Sequence, residues 1–380
     1  MDRSVVEINK QWIEETWKKI DKKLLHTAQK SRNKIPYTTV EGVHDNRIET
    51  EPEWWTNGFW GAMMWLMWEQ TGNDEYKITA QESEKLLDKA FLDIEKLHHD
   101  VGFMWHITSG AAYRLTGDVR SKNREALAAA LLAARYNPDG GFIRAWNGDV
   151  VRGWSIVDCM MNIPLLYYTA KEFNIPHYYK IAVNHAKMAL RDHIRSDGSI
   201  NHIVEHDLDT GDVVKVYGGQ GYNETSCWSR GLAWAVYGCV LSYIYTEEKE
   251  FLDAAIKTAN FFVANVKMTN YKPLADFRAP LEPVYYDSTA GMCTACALLE
   301  LSKYVSDAEG SLYTSEAINL LKAADKYFCD YSKEEDALVL MGTERYPHEC
   351  MNGVHIPIIY GDFFFVEAMT KLRGSNFLIW

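Results

Sequence analysis

Asn57-Gly-Phe-Trp-Gly-Ala-Met-Met-Trp-Leu-Met-Trp68 carries no charged residue, and the polar turn Thr71-Gly-Asn-Asp74 follows it. A helix that is apolar all round must be covered on every side, so this one belongs at the centre of a larger body. The next stretch, Tyr76 to Leu97, carries charges on one face and reads as an outer helix covering the first. The pattern recurs along the chain. His106 through Leu115 turns at Thr116-Gly-Asp118 and continues from Glu125 to Ala134. Asp158 to Tyr168 turns at Asn174-Ile-Pro176 and continues from Tyr178 to His193, with Pro164 marking a kink or a first helical turn. Trp228 to Gly238 is followed by Glu250 to Asn265, and Asp287 to Tyr304 by Glu316 to Cys329. The last inner segment, Gly361 to Lys371, takes as its outer partner the N-terminal stretch Ile8 to Leu25, where Ile8, Trp12, Ile13, Trp17, Ile20 and Leu24 recur at helical spacing. Six hairpins of this kind predict an all-α fold, a closed (α/α)6 barrel, with an open superhelix of hairpins as the alternative. No Pro/Gly/Ser-rich linker divides the chain, so residues 1–380 are expected to form a single barrel domain.

Composition narrows the function. A net charge of -12 argues against nucleic acid or an anionic membrane as partner. The N-terminus shows no signal-peptide pattern and no apolar run approaches the length of a membrane span, so a cytoplasmic protein, monomeric or weakly dimeric, is expected. The 7 cysteines form no metal or disulfide pattern; Cys293-Thr-Ala-Cys296 lies in an apolar helical run and reads as two buried thiols. The 13 Trp and 22 Tyr fit either a core packed through aromatic rings or a sugar site, whose flat C–H faces suit such rings.

In a ring of hairpins the segments entering the inner helices converge on one mouth, and those segments are rich in chemistry. They include Trp54-Trp55, His98 to Phe103, Arg144-Ala-Trp146, His202, Gln220-Gly-Tyr222, Trp228-Ser-Arg230 and Tyr346 to His355. Among them Arg152-Gly-Trp-Ser-Ile-Val-Asp-Cys-Met-Met-Asn162 sets one carboxyl, Asp158, amid Trp154, Ile156, Val157, Cys159, Met160 and Met161. An apolar setting favours the neutral, proton-donating form of a carboxyl, as acid catalysis requires. The alternative for Asp158 is a helix cap.

The Arg152–Asn162 stretch, His99-Asp-Val-Gly-Phe103, and Gln220-Gly-Tyr222 with Cys227-Trp-Ser-Arg-Gly-Leu-Ala-Trp-Ala-Val-Tyr-Gly238 resemble the motifs of the unsaturated glucuronyl hydrolases. The likeness spans nearly the whole chain. It implies an (α/α)6 barrel working without metal or cofactor on oligosaccharides whose non-reducing end is a 4,5-unsaturated uronic acid. It further implies Asp158 as general acid and then base, and Asp100 as the second essential carboxylate. Trp54, His99, Trp146, His202, Gln220, Trp228, Arg230 and Trp234 are implied to line the sugar site, with a C-terminal tyrosine, Tyr346 or Tyr360. Arg230 is the arginine expected to meet the uronate carboxylate, with an ion pair inside the fourth hairpin as its other role. The related unsaturated rhamnogalacturonyl hydrolases fit these motifs less well. A sugar epimerase on the same barrel and a non-catalytic carbohydrate-binding barrel are the competing classes.

Overall fold

The computed structural model describes all 380 residues. Twelve helices form the ring, outside two short ones at Arg3–Ile8 and Arg47–Thr50: α1 (Lys10–Lys30), α2 (Phe59–Thr71), α3 (Asp74–Leu87), α4 (Ala111–Thr116), α5 (Val119–Ala133), α6 (Pro164–Glu172), α7 (Pro176–Asp192), α8 (Ser229–Thr246), α9 (Lys249–Lys267), α10 (Ser288–Leu301), α11 (Asp307–Tyr327) and α12 (Ile359–Leu372). The inner members are α2, α4, α6, α8, α10 and α12. α2 packs on the segment leading into α4, α8 on α6 and α10, and α12 on both α10 and α2. That last contact closes the ring, so the barrel is closed and not an open superhelix. α1 lies against α3 and α12, the position expected of the sixth outer helix.

Burial follows the sequence pattern. Every residue of α10 and of α12 is buried, whereas α1 buries one face, Ile13, Thr16, Trp17, Ile20, Lys23, Leu24, Thr27 and Ala28, and turns the other toward solvent. One continuous apolar core of 96 buried residues runs round the ring. Its interior is filled by Phe103, Phe363, Phe364 and Trp380, with the Trp380 indole stacked on Phe364 at 5.9 Å and its N–H 3.2 Å from both oxygens of Glu367. Arg114 holds the carbonyls of Leu378 and Ile379 at 2.8 and 2.7 Å, which fixes the tail inside the barrel. Cys293 and Cys296 are buried free thiols.

Several boundaries differ from the periodic reading. Ile8 is exposed and the first long helix begins only at Lys10. The outer helix of the first hairpin stops at Leu87, after which the chain runs as 3-10 turns to Lys96. The second inner segment is a π-helix, Gly102–Gly110, before α4 begins. The third inner helix starts at Pro164 and not at Asp158, because proline lacks the N–H an interior position needs and so occupies the first turn.

A three-stranded antiparallel sheet, β1 (Trp154–Ile156), β2 (Ile203–His206) and β3 (Val213–Tyr217), in that order, covers the same end of the barrel as the inner-helix starts. His193 buttresses it. Its Nδ1–H donates to the Asn201 carbonyl at 2.8 Å and its Nε2 accepts from the Ser155 hydroxyl at 2.8 Å. Burial lowers the His193 pKa to about 4 against the hydrogen bond to Asn201, which raises it. The unfolded chain therefore takes up the proton first as pH falls below about 6.5, and stability drops until the folded-state value is reached. From pH 7 to pH 5 this residue alone is expected to remove roughly 2 kcal/mol. Urea midpoints measured across that range should fall less steeply in His193→Gln than in the wild type; parallel curves would reject the assignment.

Candidate functional site

The site is built where β1 ends. Ile156 pairs with Ile203, and the next N–H, of Val157, donates to the His202 carbonyl at 3.1 Å. The chain then turns through the 3-10 segment Val157–Met161, which presents Asp158 to one side while Val157, Cys159, Met160 and Met161 enter the core on the other. The register of β1 on β2 thus sets His202 beside Asp158, with Nε2 3.6 Å from the carboxylate Oδ1. Gly219, at a φ of +60°, brings the backbone so near His202 that a Cβ there would lie 2.1 Å from Nδ1. That approach lets the Gln220 N–H donate to His202 Nδ1 at 2.9 Å, so the ring's proton sits on Nε2 and points at Asp158.

Asp100 comes from the segment before the π-helix. Asn162 clamps that segment to the Asp158 turn: its Nδ2 donates to Asp100 Oδ1 at 2.9 Å and its Oδ1 accepts the Phe103 N–H at 2.8 Å. Gly102 is required here, since a Cβ would meet the Asn162 backbone at 2.7 Å. Burial of Asp100 raises its pKa, but the imidazoles of His99 and His98 and the Asn162 amide outweigh it, and the net direction is down. Asp100 is therefore ionised at neutral pH and has no proton to give. His99 is buried, and burial brings its pKa to about 4 against the pull of the Asp100 charge; its ring is neutral.

These groups face a cleft of about 510 Å³. Its walls are indole rings, Trp54, Trp55, Trp146 and Trp154, with Tyr217, Gln220 and Arg345 at the edges and Asp100, His98, His99 and Asp158 inside. A larger cavity, about 730 Å³, opens elsewhere between Tyr167, Tyr179 and Tyr245, but its one carboxylate, Glu172, is tied to Lys122 and Tyr113. The chemistry lies in the smaller cleft.

Of the residues singled out from sequence, Asp158, Asp100, Trp54, His99, Trp146 and Gln220 line this cleft. His202 stands behind Asp158, and Trp228 lies against His202, ring centroids 4.3 Å apart. Others are placed differently. Asp158 makes no cap hydrogen bond, and while Val157, Cys159, Met160 and Met161 enter the core its carboxyl faces the cleft. Trp234 is fully buried among Phe103, Tyr360 and Phe364. Tyr346 packs between Tyr222, Tyr285 and His348, and Tyr360 lies under Trp55; neither ring is part of the cleft lining. Arg230 is corrected outright as a free cation. It is 1% exposed, donates to Asp287 at 2.6 Å and to the carbonyls of Thr343 and Glu344 at 2.6 Å each, and lies over the Trp228 ring. Its guanidinium is occupied in holding the Thr343–Glu344 segment against α8. The arginine that lines the cleft is Arg345, exposed and without an ion pair. Asn162 was overlooked as a site residue, although it closes the same motif as Asp158.

A closed ring of helical hairpins with paired carboxylates under an indole-walled cleft defines a glycosidase of (α/α)6-barrel architecture. Residues 27–267 match Glycosyl Hydrolase Family 88, and the chain belongs to that family. It is 32% identical over 336 residues to the unsaturated chondroitin disaccharide hydrolase of Streptococcus pyogenes serotype M1, covering 83% of this chain and 80% of that protein. It is 31% identical over 328 residues to the unsaturated glucuronyl hydrolase of Bacillus sp. strain GL1, covering 84% and 86%. The fold superposes on the crystal structure of an unsaturated glucuronyl hydrolase specific for heparin with a TM-score of 0.87 at 29% identity, over 96% of this chain and 97% of that one.

Proposed function

We propose that this chain removes a 4,5-unsaturated uronic acid from the non-reducing end of lyase-generated oligosaccharides, glycosaminoglycan-type disaccharides above all, by adding water to the double bond. The observation that carries the reading is Asp158 Oδ1, buried in the cleft with no hydrogen-bond partner. A carboxylate kept for structure has its oxygens satisfied, so one left unpaired beside a sugar-shaped cleft is available for a reacting atom.

The substrate is a vinyl ether, and displacement by two carboxylates is not needed. Asp158 in its acid form gives a proton to C4 and the π electrons form the new C–H bond, leaving an oxocarbenium-like cation at C5. The ionised Asp100 stabilises that cation through space. A water then adds to C5 and yields its proton to the Asp158 carboxylate, which restores the acid. The product is a hemiketal that opens and releases the remaining sugar. His202, its Nε2 3.6 Å from Asp158 Oδ1, stands behind the carboxyl through both halves of the cycle. The indoles of Trp54, Trp55, Trp146 and Trp154 offer ring faces to the sugars and shield the cation from bulk water.

Incubation with unsaturated chondroitin- and heparin-type disaccharides should abolish the alkene absorbance in the far ultraviolet. Persistent absorbance alongside an epimerised sugar would instead identify an epimerase, and binding without turnover a carbohydrate-binding barrel. Arg345 is the cleft's free cation and meets the substrate carboxylate. A charge-assisted hydrogen bond contributes about 1.5–3 kcal/mol, and an exposed position places Arg345 at the low end of that range. Arg345→Gln is expected to lower kcat/KM about tenfold for the uronate and much less for its carboxamide analogue. Equal losses for the two substrates would reject the role.

A further inference from the structure

His98 lies in the cleft beside Asp100, outside the cycle described above. Its Nδ1 is buried and accepts or donates no hydrogen bond, and it sits 3.3 Å from Asp100 Oδ2. His99 Nε2 lies 3.4 Å from that same oxygen. Two imidazoles thus converge on one carboxylate oxygen at distances beyond the usual range for a hydrogen bond to it. The spacing suits a different geometry. Zinc binds imidazole nitrogen and carboxylate oxygen at about 2.0–2.2 Å, so two donors on adjacent corners of a tetrahedron stand about 3.4 Å apart. The three donor atoms all fall within 4.8 Å of one another. The other oxygen, Oδ1, already accepts from Asn162, the kind of outer hydrogen bond that orients a ligating carboxylate and leaves Oδ2 free.

We propose that His98 Nδ1, His99 Nε2 and Asp100 Oδ2 form a three-ligand site for a divalent ion of the zinc class, and that its occupation inhibits the enzyme by withdrawing Asp100 from the sugar. The inhibitory half rests on the function proposed above; the binding half does not. The ion adds to ligands already placed, with no change of oxidation state. Cobalt(II) is a direct probe, because four-coordinate Co2+ absorbs in the visible and the hexaaqua ion hardly does. Titration of the purified protein should develop these bands to saturation at one equivalent, and added Zn2+ should bleach them. His98→Ala, shown folded by circular dichroism, should weaken Co2+ binding by at least about tenfold, since even an outer-shell partner changes metal affinity by about 10–100-fold. Absence of the bands, or equal affinity in His98→Ala, would overturn the site. In the alkene assay Zn2+ should slow turnover competitively with disaccharide, and a chelator should restore it. Saturating Zn2+ with undiminished turnover would overturn the inhibitory role while leaving the binding result standing. A protein inactive on every unsaturated disaccharide would reject the proposed function, with the Co2+ spectrum still read independently.

Discussion

Asp158→Asn is expected to lower kcat by ~10²–10⁴-fold, the range for a lost general acid and base, with the melting temperature close to that of the wild type. Asparagine keeps the shape of the side chain but has no proton to give C4 and no carboxylate to take one from water. Stability should be spared for a reason visible in the site. Oδ1 has no hydrogen-bond partner to lose, and His202 Nε2 is already 3.6 Å away. Removing a group that makes no structural bond is expected to shift stability by no more than ~0.5 kcal/mol. The decisive measurement is kcat on an unsaturated disaccharide beside a thermal melt of the same preparation. Near-normal turnover would end the assignment. So would a melting temperature depressed enough to account for the lost activity, because Asp158 would then be a structural residue.

The ring was legible because burial on all sides leaves a plain mark in sequence. Uncharged runs such as Phe59 to Trp68 occur only where every face of a helix is covered, and their alternation with one-sided helices repeats six times. Boundaries were less legible. The π-helical Gly102–Gly110 has the apolar composition of an α-helix, and its wide turns arise where the segment is clamped to Asn162, a residue far along the chain. The sheet beside the site was missed although its signal was present: Val213-Val-Lys-Val-Tyr217 is β-branched, and Asp207 to Asp212 is rich in turn formers. The helical period of its surroundings hid it. Arg230 shows the limit of arguing from position in a repeat. Its place in the first turn of an inner helix put it near the mouth, but the partner that consumes its charge, Asp287, lies in the next hairpin and has no local trace in the sequence.

Asp100→Asn is expected to reduce kcat by ~10²–10³-fold while KM changes little, the effect of removing one preorganised electrostatic contact made to the transition state. The substitution keeps an oxygen able to accept from Asn162, so the link between the Asp100 segment and the Asp158 turn persists. What disappears is the charge. In the wild type the imidazoles of His99 and His98 and the Asn162 amide hold Asp100 ionised against its burial, so the negative charge stands in the cleft before substrate arrives. The uronate substrate carries no positive charge for it to attract, whereas the oxocarbenium ion does, which is why the loss falls on kcat. Asp100→Glu should not restore activity, because the longer side chain carries the carboxylate away from the place Asn162 fixes. A role confined to folding predicts the opposite pattern, in which both variants melt early and the surviving folded fraction turns over normally. Titrating active sites with a tight-binding product analogue before measuring kcat separates the two. Full turnover per folded site in Asp100→Asn would show that the cation at C5 is stabilised by another group, and Asp100 would then be a residue that only orients His99.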